Sequence, residues 1–402
     1  MNTLLLGNGF DLNHMFPTHY LNFLNTVHFL VNTDRCKLSS IGHVFGDDEL
    51  QGKDGFIKKC YIVHKDVYNT ISLDKEKLEQ IVLTARDNLW FNYLVKSVPE
   101  NINWIDFEKE IIRVIEAFTN FFENTNFQLV NGEVTFNFGE LQSGEDKYII
   151  KSFPFFFDKI DNGLQRNADF AKICDECLRE KLSGSGTLHL CQEEIIETLY
   201  LSLRDFADLL KMYLDMFVDA VSQEYKSRGT RPQFDSLPFA DRVYSFNYTN
   251  TYEALYRPNI LEHIHGNTNT DIVLGVNPDD NDEINSIDTS FLLFKKYFQR
   301  TFYSTDNSFL RKIYADMKAR TMSETTLYVI GHSLDATDKD IIKLIFESAD
   351  KIYIFYHSET SATSQIRNLV EMYGKHGLDR LRAEKSLCFV KQSGIKWISK
   401  EN

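Results

Sequence analysis

No stretch of roughly 18 apolar residues occurs in this 402-residue chain, so nothing in it reads as a transmembrane helix and no membrane partner is expected. Its first residues lack the basic segment, apolar run and small-residue cleavage site of a secretory signal. Cysteine is scarce. Six in the whole chain are too few for a disulfide framework, and a reducing, cytoplasmic compartment is expected. Positive charge is also in deficit, with 44 Lys and Arg against 58 Asp and Glu and a net charge of −14. Non-specific nucleic-acid affinity comes from clustered basic side chains, so nucleic acid is not an expected partner unless a local patch supplies them. What remains is ordinary globular material, 43% hydrophobic and 25% charged. Such a length predicts two or three domains and a large core.

The N-terminus reads strand, turn, helix. Thr3 to Leu6 is a short apolar run, closed by Gly7-Asn8-Gly9-Phe10-Asp11. Tyr20, Leu24, Val27 and Val31 then fall on one helical face. The C-terminal part repeats this grammar. Strands are expected at 242–246, 261–264, 271–275, 326–330, 351–356 and 386–390. A helix capped from Thr337 is expected after the fourth of these, and a second one ending near Gly374 before the last. Strands alternating with helices predict an α/β fold with a mostly parallel sheet. The middle differs, with helices expected at 90–95, 104–122 and 199–225. The stretches 32–84 and 124–183 show no clean period. The expected organisation is a core of residues 1–30 plus 238–402, with a large, mainly helical insertion at 31–237.

The chemistry sits where strands end. Gly7-Asn8-Gly9 is half of a dinucleotide-binding turn, and Gly331-His332-Ser333 is the same kind of feature on a second strand. Two such turns at the ends of parallel strands would flank one crevice. Asp11, Asp335 and Asp338 are candidates to bind a ribose hydroxyl or to cap a helix. Asn247 and His265 each follow a strand. Asparagine can position a water or hydroxyl without titrating, and histidine exchanges a proton near neutral pH. His263 and His265, two apart, could share a metal, but no third ligand is spaced to join them. Cys174, Cys177, His189 and Cys191 could form a zinc site, although the His-x-Cys half is unusual. Between 295 and 320 seven basic residues interleave with aromatics, a pattern of either a solvated helix or a phosphate-binding patch.

Taken in order, several segments resemble the AbiH family of phage abortive-infection proteins. They are Leu6 to Leu12 with Pro17 to Tyr20, Trp104 to Glu108, Ser245 to Thr249, Ile264 to Asn267, and Ile330 to Leu334 ending at Asp338. The same order is similar to a divergent sirtuin-like, Rossmann-like nucleotide-binding fold. That resemblance implies Asn247 and His265 as catalytic residues. It implies Gly7, Asn8, Gly9, Asp11, Gly266, Gly331, His332, Ser333 and Asp338 as ligand-binding residues, with no metal. Thr249 stands where a sirtuin has Asp, and the paired C-x2-C ribbon of the deacylases is missing, which points away from lysine deacylation. The function implied is a phage-defence effector that binds NAD and hydrolyses its nicotinamide–ribose bond. The alternatives are a nucleotide-sensing or partner-binding toxin without turnover, and a nuclease. A phage-derived trigger or a homo-oligomer would be the partners. Trp104, Asp106 and Glu108 match the family pattern without an evident chemical role.

Overall fold

The computed structural model describes residues 1–97, 107–124, 128–130, 133–161, 170–174, 177–180, 188–256, 258, 260–277, 290–319 and 324–398. Trp104 and Asp106 therefore lie outside the described residues, as does the side chain of His189.

Six parallel strands form the central sheet: β1 (Asn2–Leu6), β2 (Arg242–Ser245), β3 (Leu261–His263), β4 (Thr326–Ile330), β5 (Lys351–Tyr356) and β6 (Cys388–Lys391). Their order across the sheet is β3-β2-β1-β4-β5-β6. The strands are short apolar runs because both faces are covered. Leu4 and Leu6 pack against Phe10, Phe234 and Tyr252 on one face. Leu5 packs on the other face with Val329, Ile341 and Ile345, as the alternation of strand side chains requires. Each fully buried leucine contributes roughly 1.5–3 kcal/mol by leaving water.

Register places the strand ends level. Leu6 pairs with both Ile330 and Ser245, and Ser245 pairs with His263. The residues just beyond these four therefore emerge along one edge of the sheet. The chain leaves β1 toward β2 and β3, then returns to β4 on the other side. Strand order reverses between β1 and β4, and open α/β sheets hold ligands at the carboxyl ends of their strands beside such a reversal.

Segment 271–275, expected as a strand, is not one. Gln299 takes the place of a neighbouring strand, accepting from the Leu274 amide at 2.8 Å and donating to its carbonyl at 2.9 Å. The helix expected to end near Gly374 does break there: Gly374 has a non-helical backbone, φ +69° and ψ 168°, and a second helical stretch follows it to Glu384. The helix after β4 begins at Lys339 and not at a box on Thr337. Asp338 stands at its N-cap without capping it, because its carboxylate is used elsewhere.

The middle of the chain is mainly helical, but it also holds short antiparallel strands, Leu178–Glu180 with Leu188–Leu190 among them. Gln128–Val130, Glu133–Asn137, Phe170–Ile173 and Phe157–Asp161 make a four-stranded antiparallel sheet. Residues 32–84, which showed no period, hold the short helices Ile41–Phe45 and Asp48–Lys53 and the longer Gly55–Tyr68 and Lys75–Asp87. Helix Tyr20–Asn32 buries Phe23, Leu24, Val27 and Leu30 in this helical core and not against the sheet. A long helical run, Gln192–Leu214, passes through a π turn at Asp215–Asp219 into Ala220–Arg228. No helix among the described residues is long and apolar enough to cross a membrane.

Candidate active site

A cavity of about 1090 Å³ opens at the level edge of the sheet. Its floor is the pair of glycine turns. Gly7 donates to Ile330 at 3.1 Å, Gly9 to the Gly331 carbonyl at 2.8 Å, and Phe10 back to Gly7 at 2.8 Å. Backbone meets backbone so closely that side chains have no room. A Cβ on Gly9 would lie 2.8 Å from the Gly331 Cα. On Gly331, whose φ is +70°, it would lie 2.1 Å from the Phe10 nitrogen. The glycines thus answer first to turn-against-turn packing, and the amides of Gly7, Gly9 and Phe10 are already committed. The helix that follows, Gly9–Asn13, is only five residues long and offers no extended dipole. Asn8 bridges to Thr18 through both side-chain amide atoms, at 3.2 and 2.5 Å.

Asp11, Asn247 and His265 follow the ends of β1, β2 and β3 and line the cavity together. All three are buried, and each carries one polar atom without a partner: Asp11 Oδ1, Asn247 Oδ1 and His265 Nδ1. Buried orphan atoms are rare in folded proteins and ask for a water or ligand. The other Asp11 oxygen accepts from Thr249 Oγ1 at 2.6 Å. Burial pushes the Asp11 carboxyl up to about 7, with the Thr249 and Thr251 hydroxyls pulling against it.

His265 Nε2 lies 2.9 Å from Asp338 Oδ1, and Lys296 Nζ lies 2.8 Å from the same oxygen. Burial alone would raise the Asp338 carboxyl, but Lys296 and then His265 reverse this and hold it well below its ordinary range. An ionised carboxylate can only accept, so His265 carries its proton on Nε2 and its lone pair on Nδ1. Burial depresses the His265 pKa, with Asp338 opposing, so the ring is neutral at pH 7. His332 Nδ1 accepts from the Leu334 amide at 2.9 Å, and burial pushes this ring down to about 4. Phe246 packs edge-on between the two imidazoles, with centroids 5.2 and 4.5 Å away.

Lys296 itself is 2% exposed and shared between Asp338 and Glu108, whose Oε1 is 2.7 Å from Nζ. Burial raises Glu108 to about 6 despite Lys296. Through this pair the helix Phe107–Asn124 is tied to the β4 loop. That helix has two faces. Phe107, Ile111, Val114 and Phe118 enter the core, while Glu108, Ile112 and Ile115 wall the cavity. The basic segment is therefore not a surface patch. Lys296 and Arg300 are buried, and Arg300 pairs with Asp306 and Asp340, while Lys312 pairs with Glu262. Arg320 lies outside the described residues.

Of the catalytic and ligand-binding residues that the sirtuin-like resemblance implies, Gly266 alone is not on the cavity wall. Its φ of +76° and the Asp271 carbonyl, 1.8 Å from where a Cβ would sit, make it a turn residue. His263 and His265 do not face a common metal position: His263 binds Glu253 at 2.7 Å and the Asn247 carbonyl at 2.9 Å. No cluster of three metal-ligating side chains occurs among the described residues. Glu108 was noted from sequence only as part of the family pattern and Lys296 only within the basic segment; their pairing was missed. The spacing of Lys296 and Arg300, one helical turn apart, against Asp338 and Asp340 was the signal available.

No curated protein and no solved structure matches the chain. A family model described as bacteriophage abortive infection AbiH matches residues 3–357, which include both glycine turns, Asn247, His265, Lys296 and Asp338. The chain belongs to the AbiH family of bacteriophage abortive-infection proteins.

Proposed function

We propose that this abortive-infection protein binds NAD across the crevice between β1 and β4 and hydrolyses its nicotinamide–ribose bond. The sheet order, numbered along the chain, is 3-2-1-4-5-6, the order of doubly wound dinucleotide-binding folds, and a sirtuin-like core is the form of it we favour. Fold order alone carries no activity. The observation that carries the proposal is the trio of uncommitted acceptor atoms on Asp11, Asn247 and His265. Acceptors call for donors, and the hydroxyls of a ribose and a water are donors of the right kind.

In this reading the C1′–nitrogen bond breaks with its electron pair passing to the pyridinium, so nicotinamide leaves neutral and needs no strong acid. Water adds to C1′, and its proton goes to His265 Nδ1. Asn247 orients that water or the ribose. Asp338, held ionised by Lys296, fixes the histidine tautomer and supports the imidazolium that forms. Asp11 accepts from a ribose hydroxyl. Ile112, Ile115 and Phe291 give the leaving ring an apolar wall.

The test is purified protein incubated with NAD, with and without a chelator, alone and in extract of phage-infected cells. The proposal expects nicotinamide and ADP-ribose in equal amounts, independent of chelator. NAD recovered bound and intact would support the nucleotide-sensing reading instead.

A further inference from the structure

The uncommitted groups of the cavity are not of one kind along its length. Beside β1 to β3 they are acceptors. At the opposite end the wall is helix Glu359–Glu384, which presents Ser364, Arg367, Asn368 and Glu371 on one face. This face is pinned to the second glycine turn on both sides of Arg367. Gln365 Nε2 donates to the His332 carbonyl at 3.0 Å, and Asn368 Nδ2 donates to the Ser333 carbonyl at 3.0 Å. Among the described residues, no ion pair or hydrogen bond engages the Arg367 guanidinium, not even with Glu371 one turn on. The other cavity cations are engaged: Lys296 by two carboxylates, Lys109 and Lys295 by partners of their own. The Ser333 and Ser364 hydroxyls are exposed on the same side.

A ligand phosphate cannot take the amides of Gly7, Gly9 or Phe10, which are committed to the turns. We infer that Arg367, with the Ser333 and Ser364 hydroxyls beside it, binds the phosphate oxygens of the ligand and makes the site selective for a phosphorylated dinucleotide over its nucleoside. The inference rests on the ribose-and-water reading of the acceptor end. A guanidinium offers forked donors that match phosphate oxygens, while the acceptor end suits hydroxyls. A guanidinium and two hydroxyls at one end, with Glu371 one turn beyond them, and acceptors at the other end fit a molecule with phosphates followed by a sugar.

The experiment is calorimetric binding of ADP-ribose and of nicotinamide riboside, which lacks phosphate, to the wild type, Arg367→Gln and Arg367→Lys. Wild type should bind ADP-ribose more tightly, with affinity falling as salt rises. Arg367→Gln should weaken ADP-ribose about ten- to hundredfold and flatten its salt dependence, with the riboside unchanged. Arg367→Lys should recover part of the loss. During NAD turnover Arg367→Gln should raise KM and leave kcat near wild type. Unchanged ADP-ribose affinity in Arg367→Gln overturns the inference, as does an equal loss for the riboside. Wild type binding the riboside as tightly as ADP-ribose overturns the inference and leaves the sugar site standing. Wild type binding neither overturns both.

Discussion

Asp11 is a carboxyl that the fold prefers uncharged, and replacing it should stabilise the protein. It is buried, with one oxygen bonded to Thr249 and the Thr251 hydroxyl also acting on the carboxyl. Its pKa of about 7 stands against an ordinary 3.8. A carboxyl raised on folding binds its proton more tightly in the folded state, so stability is lost as pH rises from the lower value to the upper. At about 1.4 kcal/mol for each pH unit, the loss is roughly 4 kcal/mol by pH 8. Asparagine keeps an oxygen for Thr249 and has no charge to bury. Asp11→Asn should therefore gain about 1.5 kcal/mol at pH 5 and about 4 kcal/mol at pH 8. These are upper figures, because the amide must also settle beside the orphan position. Urea unfolding at the two pH values measures both gains on one scale. A variant less stable than wild type at pH 8, or shifted equally at both pH values, would refute the reasoning. Either result would mean that the ionised carboxylate is compensated in the fold. The wild-type arrangement keeps a costly group facing a cavity, the pattern of a site retained for function.

Lys296→Met should destabilise the protein by about 3–5 kcal/mol at pH 8, since it strands two carboxylates in a buried site. Adding Glu108→Gln should restore part of that, and unfolding curves of the single and double variants will show whether it does. Gly331→Ala should fail to give soluble protein or lose several kcal/mol, roughly 1–2 from its left-handed φ and the rest from the clash with Phe10; a soluble variant of wild-type stability in urea contradicts this packing of the turns. NAD turnover should fall as the medium becomes acidic and His265 takes up a proton. Because burial depresses that pKa, the fall should come on the acid side of 6.5, and a pH–rate profile flat through the acid range excludes His265 as the base.

The parallel sheet was legible because strands buried on both faces are written as unbroken apolar runs: Leu4-Leu5-Leu6, Ile352 to Phe355 and Leu327 to Ile330 stand out in any window. The turns were legible because glycine and asparagine end those runs. Segment 271–275 has the same appearance and is not a strand, since Gln299, distant in sequence, satisfies its backbone. The small sheet around 128–173 escaped because its strands are only three to five residues long, and of them only Glu133–Asn137 alternates cleanly. At the site, strand-end residues were readable one by one. What joins them was not. Lys296 looked like one more surface cation until burial made it the hub of Glu108 and Asp338. Asp338 looked like a helix cap until Lys296 and His265 claimed its carboxylate.

In this mechanism His265 moves a proton without holding the ligand. NAD consumption and NAD affinity measured together on His265→Ala test it most directly. Turnover should be abolished while affinity stays within a few-fold of wild type, in a variant whose unfolding curve still shows a cooperatively folded protein. Turnover at the wild-type rate in that variant would contradict this role.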